Sequence, residues 1–209
     1  MSNTFDDLRL SELLCARLCH DLSGPVGAAA AGSELLADSG DAETLSLVST
    51  SASAAAARLA FLRQAFGFGT QPQRGGSVRD LVERYFASLT QGAPPQYVLV
   101  WQLGEGDLSA DAARMVLNLV MTVRDALPRG GTVTVSGHPA QTGAGAALTV
   151  EATGDGAQLT AEARAVLTED AEATGPRGAQ AQLLRILSQR MGLALMVEVA
   201  PSRIVLSLE

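Results

Sequence analysis

The sequence predicts an α+β chain of two domains, a helical hairpin at the N-terminus followed by an α/β sandwich. Three observations predict it. Apolar residues recur in steps of three and four from about Phe5 to Phe66. The next stretch, Gly67 to Ser77, is rich in Gly, Pro and polar residues and carries no period. Beyond it, short alternating runs mix with helical ones without regular strand–helix–strand order, which places helices on one face of a partly antiparallel sheet. The expected divisions are a hairpin over 1–68, a linker over 69–77 and a second domain over 78–209.

Phe5 to Ala37 reads as one long helix, with Asp6 or Asp7 able to cap its start. Leu14, Leu18, Leu22, Ala29 and Leu36 fall on one side. Two residues beyond Leu18 is a rotation of about 200°, so His20 points away from that apolar side. Asp21 lies on the flank beside Arg17. Pro25 removes one helix hydrogen bond and crowds the carbonyl of Asp21. The apolar side continues through Leu35 and Leu36, so the helix is expected to bend there rather than end.

Ser39-Gly40-Asp41 makes the turn into a second helix, about Asp41 to Phe66. Leu45, Val48, Ala52, Ala55, Leu59, Leu62 and Phe66 form a heptad seam. That is more apolar surface than a lone hairpin can bury. Two chains making a four-helix bundle would cover it; packing on the chain's own second domain is the alternative.

In the second part, Val78–Leu89 is helical and Tyr97–Leu103 is a strand. Ser109–Ala126 is a helix that Ser109 can cap, and Pro128–Gly131 is a turn. Thr132–Ser136 is a strand, Gln141–Gly145 a loop and Ala146–Ala152 a strand. A short helix near Ala161–Leu167 precedes an expected mobile loop at Ala171–Arg177. A helix over Gly178–Met191 and strands at Ala194–Val199 and Ile204–Leu208 close the chain.

Composition excludes several classes. The chain has 209 residues, 47% of them hydrophobic, enough for a sizeable core. A net charge of −7 with no dense Lys/Arg run argues against nucleic acid and anionic membrane partners. Aromatics are 4%, too few for a base-stacking surface. The two cysteines, Cys15 and Cys19, sit one helical turn apart and read as small, buried or half-buried thiols rather than a disulfide or zinc site. No signal peptide is evident, and no apolar run approaches the roughly 18 residues of a membrane span. The expectation is a soluble, cytoplasmic protein.

One of only two histidines, His20, stands in His20-Asp21-Leu-Ser-Gly-Pro25 on the outward face of the first helix. An exposed His beside an Asp is by itself ordinary surface. A helical hairpin carrying His-Asp-x-x-x-Pro, then a hinge, then an α/β sandwich resembles the histidine-kinase architecture, and the hexapeptide matches that family's H-box. Val116-Leu-Asn118-Leu-Val-Met-Thr122 through Pro128-Arg-Gly-Gly131 resembles the kinase N-box helix and the turn after it. The resemblance departs where nucleotide is held. Thr122 stands where the Mg²⁺-holding asparagine belongs, and Asn118 alone holds no metal. Ala152, before Gly154-Asp155-Gly156, stands in place of the adenine-binding aspartate. Of the glycine-rich turn only Arg177-Gly178 remains, with Met191-Gly192 matching the end of its helix.

Loss of nucleotide contacts on a retained fold resembles the ChpT-type histidine phosphotransferases. That resemblance implies a phosphorelay, in which His20 takes a phosphoryl group from an aspartate of one receiver domain and gives it to another. The partners implied are receiver domains of a hybrid histidine kinase and of response regulators, with a second copy in a homodimer. Asp21 would orient the imidazole or act as base. Arg17, Ser23, Gly24, Gly27, Ala28 and Ala31 would face the docked receiver, the small residues allowing close approach. Gly32 belongs to the same small-residue run. No cofactor is expected, since Mg²⁺ would arrive in the receiver's acidic pocket. His138, at a strand end, is given no chemistry. Two other readings stand beside this one: an ATP-dependent histidine kinase, and a non-catalytic module that binds or inhibits kinases.

Overall fold

The computed structural model describes residues 4–67, 69, 71–90, 96–138 and 147–209. Helix α1 (Thr4–Ser39) runs unbroken through Pro25, and α2 (Ala42–Phe66) folds back along it. The turn between them depends on Gly40, whose φ of +62° lets its N–H return to the Leu36 carbonyl. Asp41 then caps α2, accepting from the Thr44 N–H at 2.7 Å. Because α1 starts at Thr4, neither Asp6 nor Asp7 is its N-cap. The two helices pack closely at Gly32, where a Cβ would lie 2.8 Å from Val48 Cγ2.

Part of the expected linker is regular structure. Strand β1 (Gln73–Arg74) pairs with β3 (Asp107–Leu108), and α3 (Gly75–Thr90) begins at Gly75. The rest of the fold is β2 (Tyr97–Trp101), α4 (Ala110–Asp125), β4 (Gly131–His138), β5 (Ala147–Thr153), α5 (Ala161–Thr168), α6 (Pro176–Met191), β6 (Leu195–Ala200) and β7 (Arg203–Leu208). Ser109 caps α4 as expected. The strands form one sheet in the order β2-β4-β5-β7-β6, parallel between β2 and β4 and antiparallel elsewhere. The sharp entry into β4 needs Gly130, at φ +78°, where a Cβ would strike the Gln96 carbonyl at 2.2 Å. The Gln141–Gly145 loop lies outside the described residues.

Helix α4 organises the molecule. It lies between the sheet and the hairpin, touching β4, β5 and β7 on one side and α2 on the other. Val116 through Val123 are consequently buried all round. One hydrophobic core runs from Phe61 and Leu62 of α2, through α4, to Val133, Val150 and Leu206 of the sheet. Leu14, Leu18 and Leu22 of α1 pack against it.

This arrangement divides the heptad seam of α2. The buried residues are Ser51, Ala54, Phe61, Leu62 and Ala65, whereas Leu45 and Leu59 stay exposed. The alternative mode of burial is therefore the one seen on α2: the chain's own second domain covers one face and leaves the other bare. Contrary to the sequence reading, α2 is long and apolar enough by length and composition to cross a membrane. Alanine supplies much of that character, and the Phe61–Ala65 turn is core in this fold.

Candidate active site

His20 stands out from α1 with 79% of its side chain exposed, while its neighbour Asp21 is 14% exposed. The imidazole Nδ1 lies 3.0 Å from Asp21 Oδ1. A carboxylate only accepts, so Nδ1 is the donor in this contact, and in the neutral ring that tautomer leaves the lone pair on Nε2. The other Asp21 oxygen accepts from Arg17 Nε at 2.9 Å.

Arg17 is not the surface residue that the sequence suggested. It is 3% exposed and forks onto Asp125 at the end of α4, through Nη1 at 2.7 Å and Nη2 at 3.1 Å. The flank of α1 that carries it is covered by the second domain, so it does not share the outward face of His20 and reaches only the cavity beside it. Burial alone would weaken the Arg17 cation, but Asp125 and then Asp21 outweigh it and hold its pKa above the ordinary value. Burial would likewise push the Asp125 carboxyl up; Arg124 and Arg17 outweigh that and hold it below the usual carboxylate range. Arg124 also reaches the hydroxyl of Tyr85, a fully buried ring stacked on Phe61 at 3.9 Å between centroids.

The backbone beneath His20 has its own support. Pro25 offers no N–H to the Asp21 carbonyl. That carbonyl instead accepts from Arg58 Nη1 of α2 at 2.9 Å, while Arg58 Nη2 donates to the Ser88 carbonyl at 2.8 Å. The Ser23 hydroxyl donates to the His20 carbonyl at 3.0 Å.

Beside His20 an open cavity of about 320 Å³ lies between the two halves of the chain. Arg17 and Asp21 line it from the hairpin; Arg124, Asp125, Glu162 and Arg177 line it from the second domain. Arg177 was expected in a mobile loop. It sits instead in the first turn of α6, after Pro176 at the helix start. The segment before it is held: Ala173 is buried and its N–H donates to Gln182 Oε1 at 2.9 Å.

The small-residue run splits into two roles. Ser23, Gly24, Gly27 and Ala31 are exposed and Ala28 is half-buried. A Cβ at Gly24 or Gly27 would meet nothing within 4 Å, so these glycines leave open surface. Gly32 faces α2 instead. Cys15 and Cys19 are both exposed rather than buried, because the second domain covers the opposite flank of α1. His138 is an exposed residue at the end of β4.

The positions compared with a nucleotide site are built into the fold. Asn118 is fully buried; its Nδ2 donates to the Ala65 carbonyl at the end of α2 and its Oδ1 accepts from Gln180 Nε2. The Thr122 hydroxyl donates back to the Asn118 carbonyl at 2.9 Å. Ala152 is fully buried within β5, and Asp155 pairs with Arg129 on the surface at 2.7 Å. The Gly178 N–H near the start of α6 donates to Glu162 Oε2 at 3.0 Å, so a side chain of the protein already occupies that donor. Among the described residues no group of His, Cys, Asp and Glu is placed to hold a metal ion.

Sequence reasoning missed Arg58, Arg124, Asp125, Glu162 and Arg177. The available signals were the Gly175-Pro176 helix start for Arg177 and the unpaired carbonyl that Pro25 must leave for Arg58. Nothing local marked the others.

Over 137 residues the chain is 35% identical to the protein phosphotransferase ChpT of Brucella abortus (strain 2308), a match covering 63% of this chain and 62% of that one. The chain thus spans under two thirds of that relative's length. A solved bacterial phosphotransferase structure superposes with a TM-score of 0.82 at 26% identity, over 97% of this chain and 96% of that one. The histidine kinase domain of a blue-light-activated kinase from Erythrobacter litoralis gives a TM-score of 0.47 at 14% identity, over 88% of this chain and 94% of that one. Residues 78–203 match the family model for the histidine phosphotransferase C-terminal domain, and the chain belongs to that family.

Proposed function

We propose that the chain is a histidine phosphotransferase of a phosphorelay, carrying a phosphoryl group between receiver-domain aspartates on His20. The observation that carries this reading is the pinned and outward imidazole: Nδ1 is held by Asp21 at 3.0 Å while 79% of the side chain faces solvent. Nε2 attacks the phosphorus of the receiver's aspartyl phosphate. An N–P bond forms as the P–O bond to the aspartate breaks, and the electron pair leaves on the carboxylate. The imidazole keeps its Nδ1 proton throughout, and the Asp21 carboxylate balances the positive charge gained by the ring. Transfer to the next receiver reverses these steps.

The exposed surface of Ser23, Gly24, Gly27 and Ala31 gives a receiver helix room to approach next to His20. Arg177 shares the cavity with His20 and is available to the incoming phosphoryl group or to the acidic receiver around it. Mg²⁺ is proposed to come with the receiver, and the second domain to act without nucleotide; Thr122, Ala152 and the Glu162 cap on α6 support this. The bare Leu45 and Leu59 of α2 support a homodimer through the hairpin. Receivers of a hybrid kinase and of response regulators would place the protein with them in the cytoplasm.

Incubation with a phosphorylated receiver domain tests the proposal. Acid-labile, base-stable label is expected on the wild type and absent from His20→Ala. Label acquired from ATP alone would favour a kinase, and activity indifferent to His20→Ala would favour a docking module.

A further inference from the structure

We infer that Arg58 is a positioning residue for this transfer, supplying the hydrogen bond that Pro25 withholds from the Asp21 carbonyl and so fixing the turn that aims His20. The inference rests on the proposed role of His20.

A proline inside a helix removes one hydrogen bond, crowds the carbonyl four residues earlier and ordinarily kinks or breaks the helix. Here α1 continues for more than three turns beyond Pro25. The carbonyl in question belongs to Asp21, the residue that holds the His20 ring. Slack at that carbonyl is slack in the peptide that carries the orienting carboxylate. Arg58 Nη1 meets it at 2.9 Å.

The same guanidinium places Nη2 2.8 Å from the Ser88 carbonyl. Ser88 lies in the last turn of α3, where carbonyls have no partner within the helix. Arg58 thus joins two orphaned acceptors, one made by a proline and one by a helix end. Its planar fork suits that task, whereas a lysine ammonium would act as a point charge. Asp21 is then held at both ends. Arg17 and the His20 ring take its carboxylate, and Arg58 takes its carbonyl. Arg58 touches neither ring nor phosphoryl group; it acts through Asp21.

Pro25→Ala returns an N–H to the helix and lets Asp21 be satisfied within α1, so the Asp21 half of the Arg58 fork becomes dispensable. The Ser88 half does not. The test is the double-mutant cycle of Arg58→Met and Pro25→Ala in the full chain. Two readouts are taken: the rate of transfer from a phosphorylated receiver domain at saturation, and the ¹⁵N shifts of the His20 ring. With Pro25 in place, Arg58→Met is expected to slow transfer about tenfold or more, with little change in the receiver concentration needed for half-saturation. It should also shift the ring toward the Nε2–H tautomer. In the Pro25→Ala background both effects should largely vanish. Equal losses in the two backgrounds would overturn the inference and leave Arg58 a packing residue joined to Ser88, as would a His20 ring unmoved by Arg58→Met. If Arg58→Met does not fold, Arg58→Lys, which keeps the charge without the fork, enters the same cycle. A wild-type chain that accepts no phosphoryl group would overturn the functional reading; the ring shifts still decide whether Arg58 aims His20.

Discussion

Arg17 and Asp125, 108 positions apart, meet through two parallel hydrogen bonds of 2.7 and 3.1 Å, and their side chains are only 4% and 7% exposed. The contact fixes the His20-bearing turn of α1 to the end of α4. Arg17 also holds Asp21, so one guanidinium joins the second domain to the group that orients the imidazole. Removing one partner of a buried pair costs about 3–5 kcal/mol where the other is left uncompensated; here Arg124 Nη1, 3.1 Å from Asp125 Oδ1, keeps part of the compensation. Arg17→Ala is therefore expected to lower unfolding stability by about 2–3 kcal/mol in urea titration, below that range. A loss below about 1 kcal/mol would mark the pair as no stronger than a surface salt bridge.

The pair also sets a pH dependence. Asp125 is held below the usual carboxylate range, with Arg124 and Arg17 outweighing the upward push of burial. A depressed folded pKa contributes stability that is complete above the unfolded value, about 3.9 for aspartate, and is lost as pH falls through the folded value. Wild type and Asp125→Asn should therefore differ most between neutral pH and about pH 4. Their unfolding curves should converge at lower pH. A gap that stays constant down to the acid limit would contradict the assignment.

The outward face of His20 was legible in the sequence because helical periodicity places a residue relative to its own apolar stripe. Arg17 was misread for the same reason. Its position on the flank was right, but nothing within α1 says that α4 packs over that flank. Helix α4 shows the limit more sharply. Arg114, Asn118 and Thr122 recur every four residues, a polar stripe whose surroundings the helix alone does not reveal. Arg114 and Asn118 instead donate to the Ala65 and Phe66 carbonyls that end α2, and Thr122 turns back onto Asn118. The element order and most strands followed from local patterning. The site between the halves did not, because contacts such as Arg58 to Asp21 and Arg17 to Asp125 join segments that sequence spacing leaves independent.

Asn118 has a structural task on this account. Asn118→Ala strips one donor from the Ala65 carbonyl and leaves Gln180 Nε2 buried without its acceptor. Among the described residues Gln180 Oε1 has no partner, so the amide would lose the one side-chain hydrogen bond seen there. Such a loss costs about 1–3 kcal/mol. Thermal unfolding should show a corresponding drop in midpoint. An unchanged midpoint would mean that the Asn118 face of α4 does not bind the hairpin to the second domain.

Asp21→Asn separates orientation from nucleophilicity. The amide is isosteric with the carboxylate but carries no charge, so it cannot stabilise the imidazolium that the proposed phosphorylation would create. The Asn side chain can also present its NH₂ to His20 Nδ1, which favours the tautomer with a proton on Nε2, the nitrogen proposed to take the phosphoryl group. Both effects act on the proposed chemical step, and the open surface at Gly24 and Gly27 is untouched. The rate of transfer at saturating receiver should fall roughly 10²-fold, while the concentration for half-saturation moves little. Arg17 retains Asp125, so stability should fall less than in Arg17→Ala. A variant that transfers at the wild-type rate would remove Asp21 from the mechanism.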